Sequence, residues 1–353
     1  MTSSCTLRID DAIYSCLRQH RNGEALGFGT MMMPVMYKAT YADGAWQERH
    51  VLPYRPIELD PAAKVLHYSQ EIFEGMKAYS RGSGAPVLFR PLDNARRMNA
   101  SAARLSMPMI PEQIFMEGVE VIAGLSKPHI PKGEGCSLYI RPFMIGTEAS
   151  LQLGASRSCD FYVIASPSQT YHSGAMRVMI ERRECRAALG GTGAVKVGGN
   201  YAAALSSAAR AARNDFDQSL WLDPEQQFYI EELSGMNVFA VMDGVLHTPE
   251  LNGSILPGIT RDSIIQLARH RGYSVIERRM AIKELIEKIQ GGNCSELFAC
   301  GTAAIITPVS LLGDDRGLAL ELPVETPVAD ELGAALTALQ YGTEKDVFGW
   351  VHP

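Results

Sequence analysis

The sequence has no run of 18 or more apolar residues, so it offers no candidate for a membrane-spanning helix. Residues 1–20 lack a charged stretch followed by an apolar one, and we expect no secretory signal. Basic residues are outnumbered, with 33 Lys and Arg against 39 Asp and Glu and a net charge of −6. A chain without a basic stripe is not expected to have nucleic acid as its main partner.

Cysteines are few and scattered. The seven cysteines form no CxxC pair and no cluster with histidine, and their odd number excludes complete pairing into disulfides. This pattern predicts a reduced, cytoplasmic protein without a bound metal. The glycine-rich residues 190–193 are not followed by the Gly-Lys-Ser/Thr of a Walker loop, which disfavours a nucleotide-binding module.

The chain has 353 residues, of which 46% are hydrophobic, and this is enough for two globular domains. The turn-rich residues 166–175 predict an interdomain loop between a small N-terminal domain, 1–165, and a large C-terminal domain, 176–353. Runs of strands, rather than strict alternation of strand and helix, favour an α+β fold over a doubly wound sheet.

The pattern of apolar residues and turn residues predicts individual elements. Asp43-Gly44 between two apolar runs predicts a β-hairpin. Strands are predicted at 31–41, 46–52, 75–80, 87–90, 137–145, 159–165, 176–181, 219–222, 228–232, 236–242 and 245–247. Helices are predicted at 93–105, 111–125, 201–213, 260–271, 282–289 and 329–340.

Lys196 is the first candidate for chemistry, because it lies among small and apolar residues. Desolvation can free a lysine amine to form a covalent Schiff base with a carbonyl compound. On these residues alone, the alternative is a lysine whose stem packs along a strand edge while its amine stays in solvent.

Two segments could bind a small anion. Residues 256–261 place a glycine and a threonine before a predicted helix, whose N-terminus favours negative charge. Residues 299–304 form a small-residue turn that includes Thr302. Either segment could instead be an ordinary helix cap or turn.

Two adjacent acids, Glu231 and Glu232, end an apolar strand in which successive side chains point to opposite faces. We expect one carboxylate to face inward, where it needs a cationic partner, while the other faces solvent. A pair of surface acids is the alternative.

An aromatic pocket is the last candidate. Tyr68 and Phe73 offer aromatic walls, while Tyr139 and Arg141 share one strand face. Such a pocket suits an amino acid that is apolar or that carries a second carboxylate. Core packing is the alternative for each aromatic residue.

These segments together resemble the branched-chain aminotransferases, pyridoxal-phosphate enzymes of fold type IV. The similar blocks are FEGMKAY at 73–79, YIRPFMIG at 139–146, GGTGAVKVGGNYAA at 190–203, EELSGMN at 231–237, LNGSILPGITR at 251–261 and GTAAIITPV at 301–309. The resemblance extends over about residues 28 to 350. It implies a two-domain α+β fold of the D-amino-acid-aminotransferase-like type, pyridoxal 5'-phosphate as cofactor, small-molecule substrates, and a homodimer or higher homo-oligomer.

The resemblance implies reversible amino transfer between L-leucine, L-isoleucine or L-valine and 2-oxoglutarate, giving branched 2-oxo acids and L-glutamate. The alternatives of the same fold are a D-amino-acid transaminase, an (R)-amine transaminase and an aminodeoxychorismate lyase. Tyr139 and Arg141, together with FEGMKAY, favour the branched-chain type. A cofactor-free Schiff-base lyase built on Lys196 is a further alternative.

The resemblance also implies residue roles. Lys196 would be catalytic and hold the cofactor covalently, Glu232 would pair with the pyridine nitrogen, and Tyr201 would bond the ring hydroxyl. The phosphate would be bound by Arg97, Ile259, Thr260 and Thr302. The substrate carboxylate would be received by Tyr139, Thr302 and Ala303, the substrate side chain by Phe28, Tyr68, Phe73 and Tyr171, and the distal carboxylate of glutamate by Arg141.

The sequence departs from the family pattern in three places. Pro34-Val35 stands where many members carry Asp-His, and Gly235 stands where some carry a threonine beside the cofactor. Ala304 and Thr307 occupy the places of a redox CxxC pair found in some animal members, so no thiol switch of that kind can operate here. The first two departures bear on substrate preference rather than on reaction type.

Overall fold

The computed structural model describes residues 6–23, 26–81, 84–133, 135–169 and 174–352. The chain divides into two compact units. The first comprises residues 1–171, 196–198 and 340–353, and the second comprises 172–195 and 199–339. No helix of the described residues is both long enough and apolar enough to cross a membrane.

The first unit is built on a mixed sheet of nine described strands. They are β1 (Leu7–Ile9), β2 (Val35–Ala42), β3 (Ala45–Pro53), β4 (Glu71–Phe73), β5 (Met76–Tyr79), β6 (Val87–Phe89), β7 (Ser137–Gly146), β8 (Cys159–Ser168) and β19 (Val351–His352). Their order is β1-β3-β2-β8-β7-β5-β6-β19, and β4 pairs with β7. The helices of this unit are α1 (Ala12–Gln19), α2 (Lys64–Tyr68), α3 (Pro91–Arg104) and α4 (Glu112–Ser126), followed by a 3-10 turn at Lys127–His129.

The predicted hairpin at Asp43-Gly44 is confirmed, since β2 and β3 pair antiparallel around it. Both turn residues have positive φ, 52° and 77°, which suits a tight hairpin turn. The first predicted strand begins later than expected, at Val35 rather than at residue 31, because Pro34 has no N–H to give to a ladder. Helix α4 packs across β2, β7 and β8, where Phe115 stacks on Phe161.

The second unit contains a sheet of ten described strands. They are β9 (Met176–Ile180), β10 (Gln218–Leu222), β11 (Tyr229–Leu233), β12 (Asn237–Met242), β13 (Val245–Pro249), β14 (Val275–Arg278), β15 (Met280–Ala281), β16 (Cys294–Gly301), β17 (Ile305–Gly313) and β18 (Ala319–Glu321). Their order is β14-β13-β12-β16-β17-β9-β10-β11-β15, and β18 pairs with β17. The helices are α5 (Gly198–Ala203), α6 (Leu205–Arg213), α7 (Ile259–His270), α8 (Ile282–Gln290) and α9 (Pro327–Tyr341).

The core of the second unit is aliphatic. Its buried members include Val178, Leu220, Leu233, Val238 and Leu297, one from each of five strands. The single helix predicted at 201–213 is wrong, because α5 ends at Ala203 and α6 begins at Leu205. The hairpin of β16 and β17 was not predicted as strands. A turn was expected at 299–304, but residues 299–301 belong to β16 and only 302–304 form the connecting turn.

The observed units differ from the predicted domains in three places. Segments 196–198 and 340–353 belong to the first unit. The predicted interdomain loop, 166–175, begins inside β8, which continues to Ser168 within the first unit. The C-terminal strand β19 pairs antiparallel with β6. Val197 forms an isolated antiparallel bridge with Ile72 of β4. Long-range strand pairing of this kind leaves no local signal in a sequence.

Candidate active site

Lys196 is held in the first unit by backbone hydrogen bonds. Its N–H donates to the Ser101 hydroxyl at 2.9 Å, and its carbonyl accepts the Phe73 N–H at 3.1 Å. Two residues later, the Gly198 N–H donates to a carboxylate oxygen of Glu71 at 2.9 Å. These contacts fix the chain on both sides of the lysine, which is half-buried.

The Lys196 amine lies over an aromatic ring that belongs to a larger cluster. The Lys196 Nζ lies 4.8 Å from the centroid of the Phe73 ring, and the Arg141 guanidinium lies 4.7 Å from the same ring. Arg141 donates to the Tyr139 hydroxyl at 2.9 Å, and the Phe28 and Tyr139 rings meet edge to face at 4.6 Å. The first unit therefore brings five predicted site residues into one cluster.

Gly75 makes room for the Tyr139 side chain. A Cβ at position 75 would fall 2.1 Å from the Tyr139 hydroxyl oxygen, which is far inside van der Waals contact. Glycine is thus required by close approach rather than by its φ angle.

Arg97 forms a bidentate pair with the fully buried Glu74, with N–O distances of 2.8 and 2.7 Å. Burial alone would raise the pKa of the Glu74 carboxyl, but Arg97, the Lys196 charge and the Asn94 amide hold that pKa below its ordinary value. A paired guanidinium of this kind keeps a fixed orientation.

In the second unit, Glu232 lies on β11 with only 4% of its surface exposed. Its Oε1 pairs with Arg186 Nη2 at 2.6 Å and accepts the Leu256 N–H at 3.2 Å. Its Oε2 accepts the Asn237 side-chain amide at 2.9 Å. A carboxylate with this many charged and polar donors is held in a fixed orientation.

Glu231 is buried as well, with 2% exposure, so the expectation that one of the two acids faces solvent is wrong. Strand β11 lies between β10 and β15 inside the sheet, and the Ser254 hydroxyl covers the Glu231 carboxyl. The side chains do alternate, but both faces of the strand are covered.

The Asn237 side chain links Glu232, on β11, to the residues that precede α7. Its side-chain amide also donates to the Leu256 carbonyl at 3.1 Å, and a Cβ on Gly258 would lie only 2.0 Å from its Oδ1. Helix α7 then begins at Ile259, and no side chain caps its N-terminus. The first amides of such a helix, with the buried Thr260 among them, favour an anion.

Tyr201 and the turn after β16 are tied to the same region of the second unit. A Cβ on Gly235 would meet the Tyr201 ring at 3.9 Å, an ordinary contact that leaves room for a side chain. A Cβ on Gly301, next to Thr302, would lie 3.6 Å from the Gly235 carbonyl oxygen. The second unit thus brings Tyr201, Glu232, the α7 N-terminus and the turn with Thr302 and Ala303 together.

Comparison with known proteins identifies the family. Residues 71–312 match the model for amino-transferase class IV. The chain belongs to this family. A probable branched-chain-amino-acid aminotransferase of Staphylococcus aureus (strain N315) is 45% identical over 340 residues, 95% of both chains. The branched-chain-amino-acid aminotransferase of Mycolicibacterium smegmatis is 44% identical, covering 92% of this chain and 91% of its own.

Solved structures of branched-chain amino acid aminotransferases are similar in fold to this chain. The branched-chain amino acid aminotransferase of Escherichia coli has a TM-score of 0.72 at 29% identity, covering 89% of this chain and 98% of that chain. The T.th. branched-chain amino acid aminotransferase, complexed with N-(5'-phosphopyridoxyl)-L-glutamate, has a TM-score of 0.71 at 27% identity, covering 89% and 97%. The predicted fold type and aminotransferase activity are confirmed.

One predicted site residue of this class IV aminotransferase stands apart from the two clusters. Tyr68 ends α2, is 39% exposed, and donates its hydroxyl hydrogen to the Leu151 carbonyl. Tyr171 lies outside the described residues.

Sequence reasoning missed several residues that hold the site together. Glu74 and Gly75 lay within the quoted FEGMKAY block, and Asn237 ended EELSGMN, but none was given a role. Arg186 was not singled out, since a lone arginine before a glycine-rich segment carries no pattern. Only its 2.6 Å pairing with Glu232 reveals it.

Proposed function

We propose that this aminotransferase moves the amino group reversibly between L-leucine, L-isoleucine or L-valine and 2-oxoglutarate, with pyridoxal 5'-phosphate as its cofactor. The observation that carries the proposal is the cluster of Phe28, Phe73, Tyr139 and Arg141, which contacts the Lys196 amine through the Phe73 ring. Aromatic walls suit a branched apolar side chain, while one arginine suits the distal carboxylate of glutamate. The names of the relatives support the same activity.

The side chains present fit pyridoxal phosphate by their chemistry. Lys196 supplies an amine, and Glu232 supplies a buried carboxylate for a protonated ring nitrogen. An arginine has five donors, so Arg97 can serve a phosphate as well as Glu74. Ile259, Thr260 and Thr302 would add amides and hydroxyls for the same phosphate, and Tyr201 would bond the ring hydroxyl. When bound, pyridoxal phosphate supplies an electron sink for the electrons left at the substrate Cα.

The chain's own residues then perform the proton transfers. The Lys196 amine would take the proton from the substrate Cα and later deliver it to the exocyclic carbon of the cofactor. Glu232, oriented by Arg186 and Asn237, keeps a proton on the ring nitrogen. Thr302, Ala303 and Tyr139 receive the substrate carboxylate, while Tyr68 and Tyr171 are proposed to line the side-chain pocket. The second half-reaction runs the same steps backward with the other substrate, which is ping-pong kinetics.

An assay with three donors tests this function. With 2-oxoglutarate as acceptor, L-leucine should be used in preference to L-alanine by about one to two powers of ten, because burying a side chain of that size is worth roughly 1.5–3 kcal/mol. D-Alanine should not be used. Turnover of D-alanine would favour the D-amino-acid alternative, and a colourless protein without a visible absorption band would contradict the cofactor.

Arg141→Ala separates the two substrate classes. It should raise KM for glutamate and 2-oxoglutarate by about ten- to a hundredfold, the worth of one hydrogen-bonded charge contact. The leucine half-reaction should stay largely intact, since an apolar side chain has no charge to pair. Single-turnover absorbance changes with each donor measure the effect.

The matched control is Arg8→Ala, which removes an arginine whose side chain is 64% exposed on the same unit. Equal losses for leucine and glutamate in Arg141→Ala would mean that Arg141 only holds Tyr139 and its strand in place.

We further propose that the protein works as a homodimer in the cytoplasm. Support comes from the loop 147–157, whose Leu151 and Leu153 are 64% and 81% exposed. The buried ammonium of Lys64 anchors that loop by donating to the Gly154 carbonyl at 3.0 Å. Two neighbouring exposed leucines on an anchored loop favour a second copy as their cover. Sedimentation that found only monomer would contradict this.

A further inference from the structure

Glu231 has no role in the proposed function, yet its carboxyl group is buried in a polar network. Its Oε1 lies within hydrogen-bond distance of the Ser254 hydroxyl and accepts the Asn252 side-chain amide at 3.4 Å. Among the described residues, nothing forms a hydrogen bond with its Oε2. An ionised Glu231 would therefore bury an anionic oxygen without a donor, which is costly, whereas a neutral carbonyl oxygen there costs much less.

The hydrogen bonds around Ser254 also favour a neutral Glu231. The Ser254 hydroxyl has one hydrogen but faces two acceptor oxygens, Glu231 Oε1 and Asn252 Oδ1, the second at 2.8 Å. The Asn252 Oδ1 also accepts the Ser254 backbone N–H at 3.0 Å, which fixes the orientation of that amide. When the Ser254 hydroxyl donates its one hydrogen to Asn252 Oδ1, its contact with Glu231 needs a hydrogen from the other side. A proton on Glu231 Oε1 supplies that hydrogen.

The charged groups that face Glu231 are Arg186 and Asp223. Burial raises the pKa of Glu231; Ser254, Asn252 and Arg186 oppose this, and Asp223 raises it further. Arg186 would favour an ionised Glu231, but its Nη2 is engaged by Glu232 at 2.6 Å.

We propose that Glu231 is a positioning residue kept as a neutral carboxylic acid, whose proton is donated to Ser254 and so fixes the loop that holds Arg186 against Glu232. The link is short. The Ser254 carbonyl accepts Arg186 Nη2, and the Leu256 N–H donates to Glu232 Oε1 at 3.2 Å. The effect on the cofactor rests on the proposed function, whereas the protonation is a property of the chain alone.

Infrared spectra of the purified protein at pH 7 test the protonation. A carboxyl group of ordinary pKa is ionised at this pH, so a buried neutral acid should give a resolved carbonyl-stretch band. The band should be present in the wild type, absent in Glu231→Gln, shifted in Ser254→Ala and unchanged in Glu225→Gln, a control on an exposed glutamate of the same unit. A wild-type spectrum without a band that Glu231→Gln removes overturns the proposal, as does a band that Ser254→Ala leaves in place.

The visible absorption band of the holoenzyme tests the positioning role. Glu231→Gln keeps a neutral side chain with a donor, so the pH at which the band changes and the cofactor Kd should stay as in the wild type. Glu231→Leu removes the donor and should shift that pH and raise the Kd on the order of tenfold, the effect of one hydrogen bond lost from a buried network. Wild-type behaviour of Glu231→Leu overturns the role. A protein with the infrared band but no visible band at all refutes the proposed function and leaves the protonation standing.

Discussion

Replacing Lys196 with alanine should lower turnover by about four powers of ten, the upper end of what a positioned proton-transfer group contributes. The variant should fold normally, because two hydrogen bonds that fix this position, to Ser101 and from Phe73, come from the backbone and persist in alanine. Borohydride reduction of the wild type, followed by peptide mass mapping, should place the pyridoxyl adduct on Lys196.

Lys283→Ala provides the matched control, since that side chain is 74% exposed and its loss removes the same charge from the surface. The control should keep full turnover and the adduct on Lys196. An adduct on any other lysine, or substantial turnover in Lys196→Ala, would remove this residue from the chemistry.

Glu232→Gln should reduce kcat by about two to three powers of ten, because a neutral amide cannot hold the positive charge of a protonated ring nitrogen. Glu231→Gln should be mild, within about threefold, since it replaces one neutral group with another. Steady-state kinetics of the two variants side by side check this. The reverse ranking would mean that Glu231, not Glu232, serves the cofactor.

Stability has to be separated from catalysis in Glu232→Gln. The substitution leaves the buried Arg186 charge without its carboxylate, and breaking a buried pair in this way costs about 3–5 kcal/mol. The double variant Arg186→Gln/Glu232→Gln removes both charges and should recover most of the stability, measured by thermal unfolding. It should not recover turnover; recovery of both would show that the loss in the single variant was a folding defect.

Some features of this protein could be read from the sequence alone because their causes are local. The Asp43-Gly44 hairpin depends on two residues that tolerate positive φ, and the periodicity of α3 and α4 depends on neighbours three and four positions apart. The family could be read as well, since six short motifs keep their order along the chain.

Burial of the two strand acids required the tertiary structure. Alternation along β11 is a local property, but whether the second face meets solvent depends on residues near 254 that pack over it. The break between α5 and α6 falls at Ala204, the residue type with the highest helix propensity, so the sequence carries no signal for it.

The sequence by itself determined the chemistry available: a lysine, a carboxylate, an arginine and an aromatic set in family order. Only the tertiary structure decided which groups hold them. Arg186 orients Glu232, Glu74 orients Arg97, and the β4 backbone fixes Lys196. These partners are distant in sequence and meet only when strands pair, and neither a charge nor a hydrogen-bonding group specifies its partner before the chain has folded.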